Sequence, residues 1–141
     1  MSAEKELVDF WLNRRGYFTV NNLKSGNKDI GILALKFDKG SATKIMHVEV
    51  SCSISGSTEQ TYNTNKIIDD KFNDKNLVKS IKKYTNKISD NIEIEKIVVL
   101  NSLPKDKGEL ISKFKKSSIN VVEFEDIISD MMGELKTEYF K

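Results

Sequence analysis

The chain has a single cysteine, Cys52, and a single histidine, His47, among its 141 residues. A lone cysteine cannot close an internal disulfide, so nothing calls for an oxidising compartment and a cytoplasmic location is expected. One histidine and one cysteine cannot build a structural zinc site either, because that site takes four nitrogen or sulfur ligands. No apolar run approaches the ~18 residues of a membrane-spanning helix, so no membrane association is expected. Met1 to Glu6 lacks the basic and apolar regions of a secretory leader. Also absent are a P-loop, a dinucleotide-binding glycine motif and a Ser-His-Asp arrangement.

What is present suits one globular domain spanning 1–141. Hydrophobic residues make up 38% and charged residues 31%, enough for one core beneath a well-charged surface. Ala3 to Arg15 predicts an amphipathic helix, with Leu7, Phe10 and Trp11 at i, i+3 and i+4, Ser2 as N-cap and Gly16 as the stop. Tyr17 to Leu23 is rich in aromatic and β-branched residues and predicts a strand. Ser25-Gly26-Asn27 predicts a turn, Asp29 to Phe37 a strand, Asp38-Lys39-Gly40-Ser41 a turn, and Lys44 to Ser53 a strand. Short connections make these three strands an antiparallel meander. Ser53 to Thr64 is a polar loop. Lys66 to Lys87 has helical periodicity with a break near Asn73-Asp74. Ile97-Val98-Val99-Leu100, within Glu95 to Leu100, is the continuous apolar run of a buried parallel strand. A helix over Lys107 to Lys116, a strand over Asn120 to Phe124 and a helix over Glu125 to Leu135 complete the order α-β-β-β-α-β-α-β-α. The expected class is α/β, with a mixed central sheet flanked by helices.

The formal net charge is only +2, but cations are concentrated locally. Lys66, Lys71, Lys75, Lys79, Lys82, Lys83 and Lys87 fall in the long helical segment, with Lys96 just beyond. Such a face can neutralise phosphates. It is also what an ordinary solvated helix face looks like.

Two carboxylates break the pattern of the predicted strands. Asp29 leads directly into the apolar run Ile30 to Leu35. In His47-Val48-Glu49-Val50-Ser51-Cys52-Ser53, a period of two puts His47, Glu49, Ser51 and Ser53 on one face, with Val48, Val50 and Cys52 on the other. A glutamate in the middle of an uncharged strand is costly unless it is solvated, paired or bound to a cation. Two carboxylates at neighbouring strand ends are common oxygen ligands for Mg²⁺.

These residues resemble the PD-(D/E)XK, or restriction-endonuclease-like, nuclease superfamily. Glu6-Leu7-Val8…Trp11-Leu12…Arg15-Gly16-Tyr17-Phe18-Thr19-Val20 is similar to that family's opening helix and first strand. Lys28-Asp29-Ile30-Gly31-Ile32-Leu33-Ala34 resembles its acidic second strand, and His47-Val48-Glu49-Val50-Ser51 its E-x-K strand. The resemblance implies an α-β-β-β-α-β core and a metal-dependent endonuclease hydrolysing DNA phosphodiester bonds. Asp29 and Glu49 would hold Mg²⁺ or Mn²⁺, and Glu6 would orient the metal or its water. The main aspartate of the family stands immediately before the apolar triplet, where this chain has Gly31, so Asp29 would substitute for it from two residues earlier. The lysine of E-x-K falls on Ser51, leaving Lys66 or Lys71 to supply an ammonium. DNA is the implied partner, and a homodimer is a form that relatives take. Because two core positions depart from the pattern, the alternative is a catalytically degenerate nuclease-fold domain serving nucleic-acid or protein binding.

Overall fold

The computed structural model describes residues 2–52, 62–89 and 91–139. Helix α1 (Ala3–Arg14) begins where the Ser2 side chain accepts the Lys5 N–H, with Glu4 and Glu6 in the first turn. Acidic residues there complement the positive end of the helix dipole. The extended segment after Gly16 is shorter than its composition predicts: β1 is only Phe18–Val20. The chain then makes a small separate hairpin, β2 (Lys24–Ser25) with β3 (Lys28–Asp29), before entering the main sheet. Strand β4 (Ile32–Asp38) therefore starts three residues later than expected, and Asp29 lies outside it. Lys39 and Gly40, both at positive φ, form the two-residue turn into β5 (Ser41–Val50).

After the described chain resumes come α2 (Thr64–Ile67), a five-residue π-helix (Ile68–Phe72) and α3 (Lys75–Asn86). The predicted break at Asn73-Asp74 falls between the last two, where the Asp74 side chain caps Leu77. Strand β6 (Ile94–Leu100), α4 (Gly108–Lys116), β7 (Ile119–Glu123) and α5 (Phe124–Tyr139) follow. The main sheet has the order β1-β4-β5-β6-β7. As expected, β4 and β5 are antiparallel and β6 lies parallel to β5; β7 is parallel to β6.

Alternation along the strands divides the core between two faces. Ile32, Ala34, Met46, Val48 and Val99 meet Val8 and Leu12 of α1 and Ile127 of α5. On the opposite face, Leu33 meets Leu77 and Ile81 of α3, while Val98 and Leu100 meet Ile68, Phe72 and Phe114. Val48, Val50 and Cys52 belong to the first face, as the period of two predicts. His47 and Glu49 are thereby directed under α3 and the π-helix. No helix of the described residues is long and apolar enough to cross a membrane.

Helices α1 and α5 are tied by Trp11, whose indole N–H donates to Asp130 at 2.8 Å, and by an Arg15–Asp130 ion pair. Trp11 first, then Arg15, hold the Asp130 carboxyl below its ordinary value. A depressed folded-state pKa stabilises the fold above the unfolded value of about 3.9, and that contribution is lost as pH falls through the folded value. Acidification below about pH 4 is therefore expected to loosen the α1–α5 contact, read by fluorescence of Trp11, the only tryptophan. In Asp130→Asn that acid-dependent change should disappear. Its persistence would assign the change to another group.

Candidate functional site

Glu49 is placed by β5 on the face covered by helices, and its side chain is only 5% exposed. A carboxylate enclosed to that degree needs hydrogen bonds to offset the loss of water. Among the described residues it has two, both on Oε2. The backbone N–H of Gly31 donates across the β4–β5 pair at 2.9 Å, and Nε2 of His47 lies 2.5 Å away. A nitrogen and an oxygen at that separation must hold a proton between them. The strand period predicts that His47 and Glu49 share a face; their pairing answers why a glutamate can sit mid-strand. The i, i+2 spacing to Glu49 is the signal in the sequence for this role of His47.

Gly31 stands where the resemblance places an aspartate, and the packing there is close. A Cβ at position 31 would lie 2.2 Å from the Val48 carbonyl oxygen and 2.8 Å from Glu49 Oε2. The first of these is backbone, so no side-chain rotation relieves it. Lys5 of α1 also reaches this place, donating to the Ile30 carbonyl at 3.4 Å. Glu6, the helix acid expected to orient a metal, is instead exposed.

The other expected residues lie apart from this centre. The Asp29 side chain is 75% exposed on the β2–β3 hairpin, with Lys24 at 3.8 Å. Asp29 was expected on the same strand face as position 31; the hairpin removes it from that strand and turns it to solvent. Ser51 follows β5, its N–H donating to the Val99 carbonyl. Lys66 and Lys71 belong to α2 and the π-helix, and neither makes an ion pair with Glu49 among the described residues. The described residues contain no group of three or more His, Cys, Asp and Glu side chains arranged to hold a metal ion. Ser53, expected on the Glu49 face, and most of the polar loop lie outside the described residues.

A cationic surface stands over the same face of the sheet. Leu77, Ile81 and Thr85 bury one side of α3, which leaves Lys75, Lys79, Lys82 and Lys83 exposed along the opposite side. The helix contains no acidic residue, and none of these four lysines has an ion-pair partner among the described residues. Asp74 at its N-cap is engaged by Lys28 at 3.1 Å. Between α3 and the start of β6 runs a cleft of about 580 Å³ with His47 in its lining.

Beyond the end of β5, Cys52 is half-buried, and burial first, then Glu4 and Glu125, push its thiol up to about 12. The thiolate is the reactive form, so alkylation of the native protein by iodoacetamide at pH 8 is expected to be slow. It should become fast in denaturant. Rapid labelling of the folded chain, followed by mass spectrometry, would contradict the described packing around Cys52.

No family model, curated protein or solved structure matches this chain.

Proposed function

We propose that this chain is a restriction-endonuclease-like domain that has lost metal-dependent hydrolysis and binds nucleic acid through the lysine face of α3. The fold component of this reading is supported by the element order, the antiparallel β1-β4-β5 meander and the parallel β6 behind it. One observation carries the loss of catalysis: Glu49 is committed to Gly31 and His47 inside the sheet–helix layer. Position 31 has no space for the partner acid, and Asp29 faces water on a separate hairpin. The donor set fits a shared Mg²⁺ or Mn²⁺ poorly, because such an ion needs convergent oxygens with room for its retained waters.

Binding is supported by electrostatics. Unpaired exposed lysines along one helix face match a phosphate backbone, and release of its counterions favours association. The test is fluorescence anisotropy with labelled duplex and single-stranded DNA over a salt series, beside a cleavage assay with Mg²⁺ or Mn²⁺. The expected result is metal-independent binding that weakens steeply with salt, and intact DNA. Metal-dependent cleavage that Glu49→Gln abolishes would overturn the proposal in favour of an active nuclease. Absence of binding to either DNA form at low salt would remove the nucleic-acid role.

A further inference from the structure

The cleft between α3 and the start of β6 has a chemistry of its own. Its volume of about 580 Å³ lies within the range of ligand pockets, roughly 300–1,000 Å³. The walls include apolar Val78, Ile81 and Ile94, and His47 and Phe72 also line it. Lys82, Lys96 and Glu93 supply the charges. His47 is 98% buried, and its Nε2 is taken by Glu49, while its Nδ1 has no hydrogen-bond partner among the described residues. Asp9 Oδ1 is the one fully enclosed side-chain polar atom without a partner among the described residues, so Nδ1 of His47 remains reachable by a bound group. Phe72, whose ring packs on His47 at 5.0 Å, closes the π-helix, a rare backbone form found frequently at functional sites.

We infer that this cleft binds one nucleotide unit, its base hydrogen-bonded to Nδ1 of His47 against the apolar wall and its phosphate at Lys82 and Lys96. The choice of ligand class rests on the proposed nucleic-acid role; the existence of the site rests on the cleft and on His47. An apolar body is favoured by the walls, a single directed hydrogen bond by the imidazole, and negative charge by the two lysines. Glu93 on the same cleft disfavours a long polyphosphate, so a monophosphate fits better than a triphosphate. The unit can be a free nucleotide or one nucleotide of a single strand whose backbone follows the α3 lysines, since base and phosphate chemistry are shared.

The test is NMR titration of the full chain with each of the four nucleoside 5′-monophosphates, with inorganic phosphate, and with a short oligothymidylate. Saturable shifts of the His47 ring and of the Ile81 and Ile94 methyls are expected with at least one monophosphate, at a Kd of about 0.1–1 mM. Asn86, exposed on the last turn of α3, also lines the cleft, so Asn86→Trp should block it without touching the core. That variant should lose the shifts at least tenfold, whereas Lys75→Glu/Lys79→Glu/Lys83→Glu should retain them. Shifts with monophosphates alone identify a free-nucleotide site, and shifts with the oligonucleotide as well identify a base-binding site on a strand; both support the inference. No saturable shift at His47 with any monophosphate up to about 10 mM would overturn it, as would equal shifts with inorganic phosphate. If oligonucleotide binding survives in Asn86→Trp while the monophosphates leave the wild-type His47 unmoved, the cleft inference fails and the α3 reading stands.

Discussion

Gly31→Ala is expected to destabilise the domain by about 3 kcal/mol or more, lowering the thermal midpoint by roughly 10 °C. The added Cβ would meet the Val48 carbonyl oxygen at 2.2 Å, far inside the contact distance of a carbon and an oxygen, and β4 would have to move away from β5. Movement there also lengthens the 2.9 Å hydrogen bond from Gly31 to Glu49, so a buried carboxylate loses one of its two partners. Calorimetry or circular dichroism measures the effect directly. Combining Gly31→Ala with Glu49→Ala separates the two contacts: removing the carboxylate relieves the 2.8 Å approach but leaves the backbone clash. No rescue is expected. A Gly31→Ala protein as stable as the parent would show that β4 and β5 are not packed this closely. Gly31→Asp should be worse than Gly31→Ala, because it adds a second carboxylate beside Glu49. Placing an aspartate at position 31 and a lysine at position 51 is therefore expected to yield a poorly folded chain rather than a restored nuclease.

Charge reversal along α3 has the second large expected effect. Lys75→Glu/Lys79→Glu/Lys83→Glu should weaken DNA binding at least about 100-fold near physiological salt and reduce the salt slope by roughly three. These lysines are exposed and lack ion-pair partners among the described residues, so their replacement leaves the buried Leu77, Ile81 and Thr85 contacts alone. Net charge moves from +2 to −4, since +2 − 6 = −4. That change by itself repels DNA. The matched control is Lys113→Glu/Lys115→Glu/Lys116→Glu on α4, which has the same formal change at another exposed place. Anisotropy titrations of both variants decide the matter. Equal losses would mean that net charge alone governs binding, and α3 would not be the interface.

Elements are legible in the sequence wherever a short stretch of chain contains its own physical reason. The 3.6 spacing of Leu7, Trp11 and their neighbours, the positive-φ turn at Lys39-Gly40 and the apolar run of Ile97 to Leu100 each name an element without outside help. The period of two in β5 sorted His47 and Glu49 from Val48 and Val50; the antiparallel pairing followed from short connections and the parallel one from the apolar run of Ile97 to Leu100. Less was legible at the ends of elements. Tyr17 to Leu23 has strand composition, yet only Phe18–Val20 finds a hydrogen-bonding neighbour in the main sheet.

Of the candidate site, the sequence by itself determined which residues were unusual: an acid mid-strand, an acid before an apolar run, and lysines gathered in one helical segment. Where those side chains point was decided by tertiary structure. Asp29 left the sheet because a hairpin formed between Lys24–Ser25 and Lys28–Asp29, and β4 began only at Ile32. Glu49 turned inward onto His47 and Gly31 because helices cover that face, and a carboxylate deprived of water takes the nearest donors. The close approach of position 31 to Val48 belongs to the register of two strands and to no single segment. Partners, burial and free space are properties of segments brought together; charge, periodicity and turn chemistry are already present in the chain.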